Sequence, residues 1–260
     1  MKATLIISVY KNIQFLSKVL DSLPLQTHQD FEVIVAEDGD SPEMKKFMEE
    51  AFKKYTFPLF HLSQEDIGFR KNRSLNNCIR KATSDLLIFI DGDCIMHPKF
   101  MHEYVKNYHE DAVLFSKRTN LDPKTTEILL SSEQVIPTKR QMLFNKSTRV
   151  EDSFYLPFKP AKRDKNPRLL GCNMAIPKKI LLAINGFDED YESTGYGEDV
   201  DIEWRIFKAG FHFINLKHRV IEYHLYHERF NREEDSVIGQ EICKRKIAEG
   251  QSYCLNGLVK

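Results

Sequence analysis

Glycine and proline are scarce, 11 and 10 in 260 residues, which excludes a collagen-like repeat and a Pro/Gly-rich disordered chain. Cysteine is scarce too. The five residues (Cys78, Cys94, Cys172, Cys243 and Cys254) are scattered, odd in number and without CxxC spacing. That excludes a disulfide framework and a zinc knuckle, and is the usage of reduced thiols in a cytosolic compartment. Neither sign of charge is in excess, with 38 Lys+Arg against 38 Asp+Glu. The basic balance of a nucleic-acid binder is therefore missing, and no nucleic-acid partner is expected. Long hydrophobic runs are also lacking. The five-residue run from Leu5 to Val9 is too short for a signal sequence or for the roughly 18 apolar residues of a spanning helix. The expectation is a soluble protein, at most peripheral to a membrane. With 42% hydrophobic and 29% charged residues, the chain can still bury a sizeable core.

What is present is an alternation of two periods. Ala3–Val9 (ATLIISV) is a continuous β-branched run suited to a strand buried on both faces. Residues 12–23 set Ile13, Leu16, Val19, Leu20 and Leu23 at helical spacing, and Pro24 stops the helix. Strands are expected again at 31–36 and 58–62, helices at 42–55 and 72–82, and 86–90 (LLIFI) is the most apolar strand of the chain. Such alternation predicts βαβ units and an α/β fold, a Rossmann-like domain with a central, mostly parallel sheet flanked by helices.

Ligands in such sheets bind beyond the carboxyl ends of the strands. Tyr10 follows the first strand, Glu37, Asp38, Gly39 and Asp40 the second, and Asp91, Gly92 and Asp93 the fourth. Carboxylates are thereby gathered at one rim, where their repulsion calls for a cation, although Asp and Gly are also ordinary turn residues. Asp91-Gly92-Asp93 is the sharper signal, because it ends the most apolar strand. Two carboxylates one residue apart on a tight turn can both face a divalent ion, or one can hold a ribose hydroxyl. Hard oxygen ligands suit Mg²⁺ or Mn²⁺.

Two further clusters lie downstream. Gly195-Tyr196-Gly197-Glu198-Asp199-Val200-Asp201 precedes a helical stretch at 202–209 (IEWRIFKA). Favourable acids at a helix N-terminus account for Asp201 and Glu203. Glu198 and Asp199 follow a flexible glycine pair instead, where a carboxylate can serve as general base. Then Tyr223-His224-Leu225-Tyr226-His227 follows a strand-like stretch at 220–223 and offers two imidazoles spaced i, i+3. Between these and the first half, residues 117–170 show no sustained period. Within them, 139–168 carries nine Lys/Arg against three acids, either a solvated loop or an attractor of phosphate-bearing or anionic-lipid partners.

In order and spacing, SVYKN (8–12), VAEDGDSP (35–42), GFRKNRSLNN (68–77), FIDGDC (89–94), LGCNMAIPKK (170–179), INGFDEDYESTGYGEDVDIEWR (184–205) and YHLYHER (223–229) resemble family 2 glycosyltransferases of the GT-A fold. The resemblance covers the full catalytic domain. The second half is also similar to the C-terminal segment of β-1,4-galactosyltransferases and to the transferase domains of chondroitin-type polymerases. It implies one GT-A domain over 1–260, with a nucleotide-binding half (1–115) and an acceptor-binding half with a C-terminal extension (116–260). By the same resemblance Tyr10 and Asp38 contact base and ribose, and Arg73 the uridine diphosphate, although Asn72 and Ser74 depart from the usual neighbours of that arginine. Asp91 holds ribose or sugar, Asn173 shapes the sugar site, Asp93 ligates the metal, and Asp199 is the base with Glu198 beside it. His227 matches a metal histidine, and His224 stands where the galactosyltransferases have a methionine ligand.

The implied activity is inverting, metal-dependent transfer from a UDP-sugar to a hydroxyl of a saccharide or lipid-linked acceptor. Charge growing on the leaving diphosphate is met by Mn²⁺ or Mg²⁺, and Asp199 takes the acceptor's proton. Family analogy extends this to bacterial surface polysaccharide synthesis, in the cytoplasm or at the inner face of the membrane, with peripheral membrane association. Two alternatives stand beside it. A sugar nucleotidyltransferase would open on a Gly-rich loop, which SVYKNIQFL (8–16) lacks. A non-catalytic sugar- or nucleotide-binding module has little need of a base. At 260 residues, single-sugar transfer or half of a two-component system is expected rather than polymerisation.

Overall fold

The computed structural model of the chain describes residues 1–193, 198–228 and 233–260, and within those spans all side chains but those of 198 and 233–235. The first half follows the sequence pattern closely. Strands β1 (Ala3–Val9), β2 (Phe31–Glu37), β3 (Leu59–Leu62) and β4 (Leu86–Asp91) alternate with helices α1 (Ile13–Asp21), α2 (Pro42–Lys54) and α3 (Lys71–Lys81). Local chemistry marks the helix ends. Asn12 and Ser41 cap α1 and α2 by accepting the backbone N–H of Phe15 and Met44, and Pro42 opens α2 where its missing N–H costs nothing.

The remaining elements are β5 (Cys94–Met96), α4 (Phe100–Lys106), β6 (Ala112–Phe115), β7 (Thr119–Asn120), α5 (Pro123–Ser131), α6 (Lys139–Phe144), a short 3-10 helix (Val150–Ser153), β8 (Lys162–Asp164), β9 (Met174–Pro177), α7 (Lys178–Ala183), α8 (Glu198–Lys208), β10 (His212–Asn215), β11 (Glu222–His224) and α9 (Glu233–Glu249). The main sheet has the order β3-β2-β1-β4-β9-β6-β10-β8, and a second, three-stranded sheet the order β5-β11-β7. β1, β2, β3 and β4 are mutually parallel, as is the β6–β10 pair, while β9 runs antiparallel between β4 and β6. Alternate residues of the central strands enter two different apolar clusters. Leu5, Ile7, Val33, Val35, Ile88 and Ile90 lie on one face, with Ile6, Ile34, Leu87 and Phe89 on the other. That is why these strands read as unbroken apolar runs.

Residues 117–170, which show no sustained period in sequence, nevertheless form regular elements. These are short, and their signals are end signals rather than periods. Asp122 accepts the N–H of Thr125 ahead of Pro123, and Thr138 and Gln141 form a reciprocal capping box. α5 buries Thr125 and Thr126 beside Leu129, so its inner face shows no apolar period, and α6 has only six residues. No helix among the described residues is long and apolar enough to cross a membrane.

The register fixes the rim. Ser8 lies opposite Asp91, and Val9 opposite Glu37, so β1, β2 and β4 end together. The second sheet then brings β11 beside the turn after β4, with His224 opposite Cys94 and Leu225 N–H donating to the Asp93 carbonyl at 2.8 Å.

Candidate active site

The Asp91-Gly92-Asp93 turn is drawn against β1. Gly92 N–H donates to the Ser8 carbonyl at 2.7 Å, and a Cβ at 92 would meet Val9 Cβ and Cγ2 at 3.1 Å. Glycine is what allows this approach. Asp91 Oδ1 accepts from Ser8 Oγ at 2.7 Å and from Lys71 Nζ at 2.9 Å. Asp93 turns the other way, and its Oδ2 lies 3.5 Å from His224 Nε2 and 3.2 Å from His227 Nε2. One ligand atom from each of the three residues falls within 4.8 Å of the others.

Burial alone would raise the Asp93 carboxyl, but hydrogen bonds from His224 and His227 outweigh it and hold the group well below the usual carboxylate range. Contact with Asp93 raises His227 in turn. The His227 Nδ1 lies 3.0 Å from the Glu228 carbonyl, which assigns that nitrogen as the N–H donor. In the neutral ring, the Nε2 lone pair then points at a carboxylate oxygen. Something positive has to sit between them, a proton or a metal ion. The set of one carboxylate and two imidazoles fits Mn²⁺ better than Mg²⁺, which favours oxygen.

The acidic turn after β2 behaves otherwise, its carboxylates bonded to nearby side chains and backbone. Glu37 faces His61 Nε2 at 2.8 Å and accepts from Ser41 N–H at 3.1 Å, and Asp40 accepts from Ser63 Oγ at 2.9 Å. Asp38 is only 7% exposed and accepts from Gln64 Nε2 and Arg70 N–H, both at 2.7 Å. It therefore holds the 64–70 loop. Tyr10 is exposed at the same rim, with Lys11 over its ring at 4.6 Å. Arg73 is exposed as well. It lines a small cleft with Arg70, Glu189, Tyr191, Glu192 and Lys260, while it is Lys71 from the same helix that meets Asp91.

Asp199 stands in the first turn of α8, its Oδ2 accepting the Gly171 N–H at 3.0 Å. A Cβ at position 171 would come within 2.5 Å of Asp199 Oδ1, so glycine admits the carboxylate here too. One turn on, Glu203 accepts the Leu169 N–H at 2.7 Å. Asp201 lies in the core, 2.7 Å from Arg205 Nε, with Tyr191 Oη donating to its other oxygen at 3.2 Å. Arg205 Nη1 also donates to the carbonyls of Ile184 and Gly186. Besides lying near the start of α8, Asp201 and Glu203 tie that helix to neighbouring segments through Tyr191 and the Leu169 N–H. Gly195, Tyr196 and Gly197 lie outside the described residues, as does the side chain of Glu198.

Asn173 is fully buried. Its Oδ1 accepts from Tyr104 Oη at 2.6 Å and its Nδ2 donates to the Lys117 carbonyl at 3.0 Å, so its amide holds the floor of the 170–173 loop. Sequence reasoning missed the residue beside it. Cys172, Cys94 and Glu222 are buried together behind Asp93, with ligand atoms within 4.8 Å of one another, and Cys94 Sγ donates to Asp93 Oδ1 at 3.2 Å. Burial pushes the Glu222 carboxyl well up, and Arg118 Nη1 sits 3.1 Å from Cys172 Sγ. The protein thus meets the charge of this group itself. One loop therefore reaches both carboxylates, Asp199 through Gly171 and Asp93 through Cys172 and Cys94. Residues 78 positions apart in sequence carry no local signal for that.

The sequence profile described as glycosyl transferase family 2 matches residues 4–179, more than half of the chain. The chain belongs to that family. A second profile, described as the N-terminal domain of galactosyltransferase, matches residues 158–228 of this family 2 chain. A hyaluronan synthase of Pasteurella multocida is 26% identical over 98% of the chain, which spans only 28% of that relative's length. Among solved structures, S. aureus TarS 1-349 in complex with UDP-GlcNAc superposes with a TM-score of 0.66 at 15% identity, over 95% of this chain and 66% of that one. The mannosyltransferase PcManGT of Pyrobaculum calidifontis, in complex with GDP-Man and Mn²⁺, gives 0.60 at 15% identity, over 87% and 57%. Both likenesses show the fold, and the GT-A resemblance read from the motifs holds.

Proposed function

We propose that this family 2 chain transfers a sugar, with inversion, from a UDP-sugar to a hydroxyl of a saccharide or glycolipid acceptor, in surface polysaccharide synthesis at a cytoplasmic site. The observation that carries this reading is the convergence of His224 and His227 on Asp93 beside the nucleotide-side rim, with a second carboxylate, Asp199, held across the 170–173 loop. Asp93, His224 and His227 would hold Mn²⁺ or Mg²⁺. When bound, the ion supplies positive charge against the leaving diphosphate. Tyr10 and Asp38 would meet base and ribose, Arg73 the diphosphate, and Asp91 the ribose or sugar, its charge tempered by Lys71. Asn173 shapes the sugar site from below. Asp199, with Glu198 beside it, accepts the proton of the attacking hydroxyl. No enzyme nucleophile is required. The solved neighbours named for complexes with UDP-GlcNAc, and with GDP-Man and Mn²⁺, support a nucleotide-sugar donor, and the relative named for hyaluronan synthesis supports a polysaccharide product.

The test is a panel of UDP-sugars assayed with Mn²⁺ for release of UDP, run on the wild type and on Asp199→Asn. The variant should keep donor binding and lose about 10²–10⁴-fold in transfer. Transfer at the wild-type rate would require another base.

A further inference from the structure

The strongest feature outside the site is the face built by residues 139–168. Large apolar side chains stand out from it, Phe144 at 77% and Phe158 at 97% exposed, with Leu143, Phe154 and Leu156 also exposed. Cations are set between them. Lys139 Nζ lies 4.2 Å from the Phe154 ring centroid, and the Arg140 guanidinium 5.7 Å from that of Phe144. Lys146, Lys162, Arg163, Lys165 and Arg168 are exposed along the same segment. Two of its three acids are turned to internal partners. Asp152 is buried between Arg149 at 2.8 Å and Lys217 at 2.9 Å, and Asp164 accepts from Asn166 N–H and Asn215 Nδ2. The outward charge is therefore strongly positive, in a protein that is neutral as a whole.

We propose that this face docks on an anionic lipid bilayer, its aromatic and leucine tips entering the headgroup region while the surrounding Lys and Arg side chains meet lipid phosphates. Separate apolar tips interleaved with cations are the pattern of an interfacial segment. The core of a protein–protein interface is instead depleted of charge, and of lysine in particular. The face is also strapped to the site. Thr148 and Asn120 exchange backbone hydrogen bonds of 2.9 and 3.1 Å, and Asn120 of β7 pairs with His224 of β11. At one strand spacing each, Thr148 lies about 10 Å from His224. A bilayer on this face would hold a glycolipid acceptor near the proposed metal residues, and that last step rests on the transferase reading.

The whole chain is sedimented with phosphatidylcholine vesicles and with mixed phosphatidylcholine–phosphatidylglycerol vesicles, without donor or metal, so the outcome is independent of transfer. Binding is expected only to the anionic vesicles, weakening as salt rises. The triple variant Arg140→Gln/Lys146→Gln/Lys165→Gln should lose about fivefold in partitioning per cation removed. Phe144→Ala/Phe158→Ala should lose about tenfold per ring. Both sets change exposed positions, and an unchanged thermal midpoint verifies their folding. Absence of vesicle binding, equal binding to both vesicle types, or partitioning indifferent to both variants overturns the proposal. Loss of UDP-sugar binding with vesicle binding intact would overturn the transferase reading alone.

Discussion

Two acidic turns stand at the same rim with nearly the same composition and opposite physics. After β2, Glu37, Asp38 and Asp40 each accept hydrogen bonds or ion pairs from nearby residues, chiefly the 61–70 segment. After β4, Asp93 meets two imidazole nitrogens brought from elsewhere and the thiol of its neighbour Cys94, while Asp91 is shared between Ser8 and Lys71. The first turn is a self-contained hydrogen-bonded loop. The second sets two imidazoles against one carboxylate, an arrangement that a shared proton or a metal ion would complete. A carboxylate string therefore does not declare its function, because the donors that arrive from other segments decide whether any demand for a cation is left.

The comparison breaks most visibly at Asp93. Asp93→Ala should lower UDP release by about 10³-fold, the scale of several kcal/mol of charge stabilisation, and abolish Mn²⁺ binding by calorimetry. Undiminished turnover with EDTA present would remove the metal from the mechanism. Gly171→Ala comes next. The new methyl group would press on Asp199 Oδ1, and a displacement near 1 Å costs about 10²-fold in rate, with Mn²⁺ affinity unchanged. Equal loss of metal binding would show that the loop, rather than the base, was disturbed.

Asp38→Ala sharpens the other side of the contrast. It leaves the Arg70 N–H and the Gln64 amide without their acceptor, so denaturant unfolding should show a loss of about 1–3 kcal/mol while Mn²⁺ affinity stays as in the wild type. The narrowest effect, confined to acid pH, belongs to Glu32, at the far end of β2. Burial would raise its carboxyl, but hydrogen bonds from Thr83, Lys2 and Thr4 lower it to about 2. A lowered folded-state value means stability fully present above the ordinary value of 4.5 and lost as pH falls towards about 2. Glu32→Gln should flatten that acid limb of the melting-temperature profile, and an unaltered limb would assign it to other carboxylates.

The parallel strands and the three helices between them were legible because apolar runs alternate with helical spacing, and α1 and α2 open on Asn12 and on Ser41-Pro42. The 117–170 region was not, since its strands and α6 have two to six residues, α5 buries two threonines on its inner face, and their caps are easily read as loop residues. Among the site residues, Asp91, Asp93, His224 and His227 stood out as strings, and the fold brings all four to one turn. Asp38 and Asn173 were equally visible as strings, but their side chains are largely or wholly committed to internal partners. Cys94 and Cys172 were dismissed for lacking CxxC spacing, yet the antiparallel insertion of β9 places the loop before it against the β4 turn.

By itself the sequence determined the α/β alternation, the rim at which the strands end and the family to which the chain belongs, because these depend on short-range periodicity and on motif order. Only the tertiary structure decided which carboxylate meets the two imidazoles and which loop lies against both Asp199 and the turn after β4. The physical reason is that electrostatic need is a property of neighbours in space. The neighbours of Asp93 come from β11 and the segment after it, more than 120 residues away in the chain.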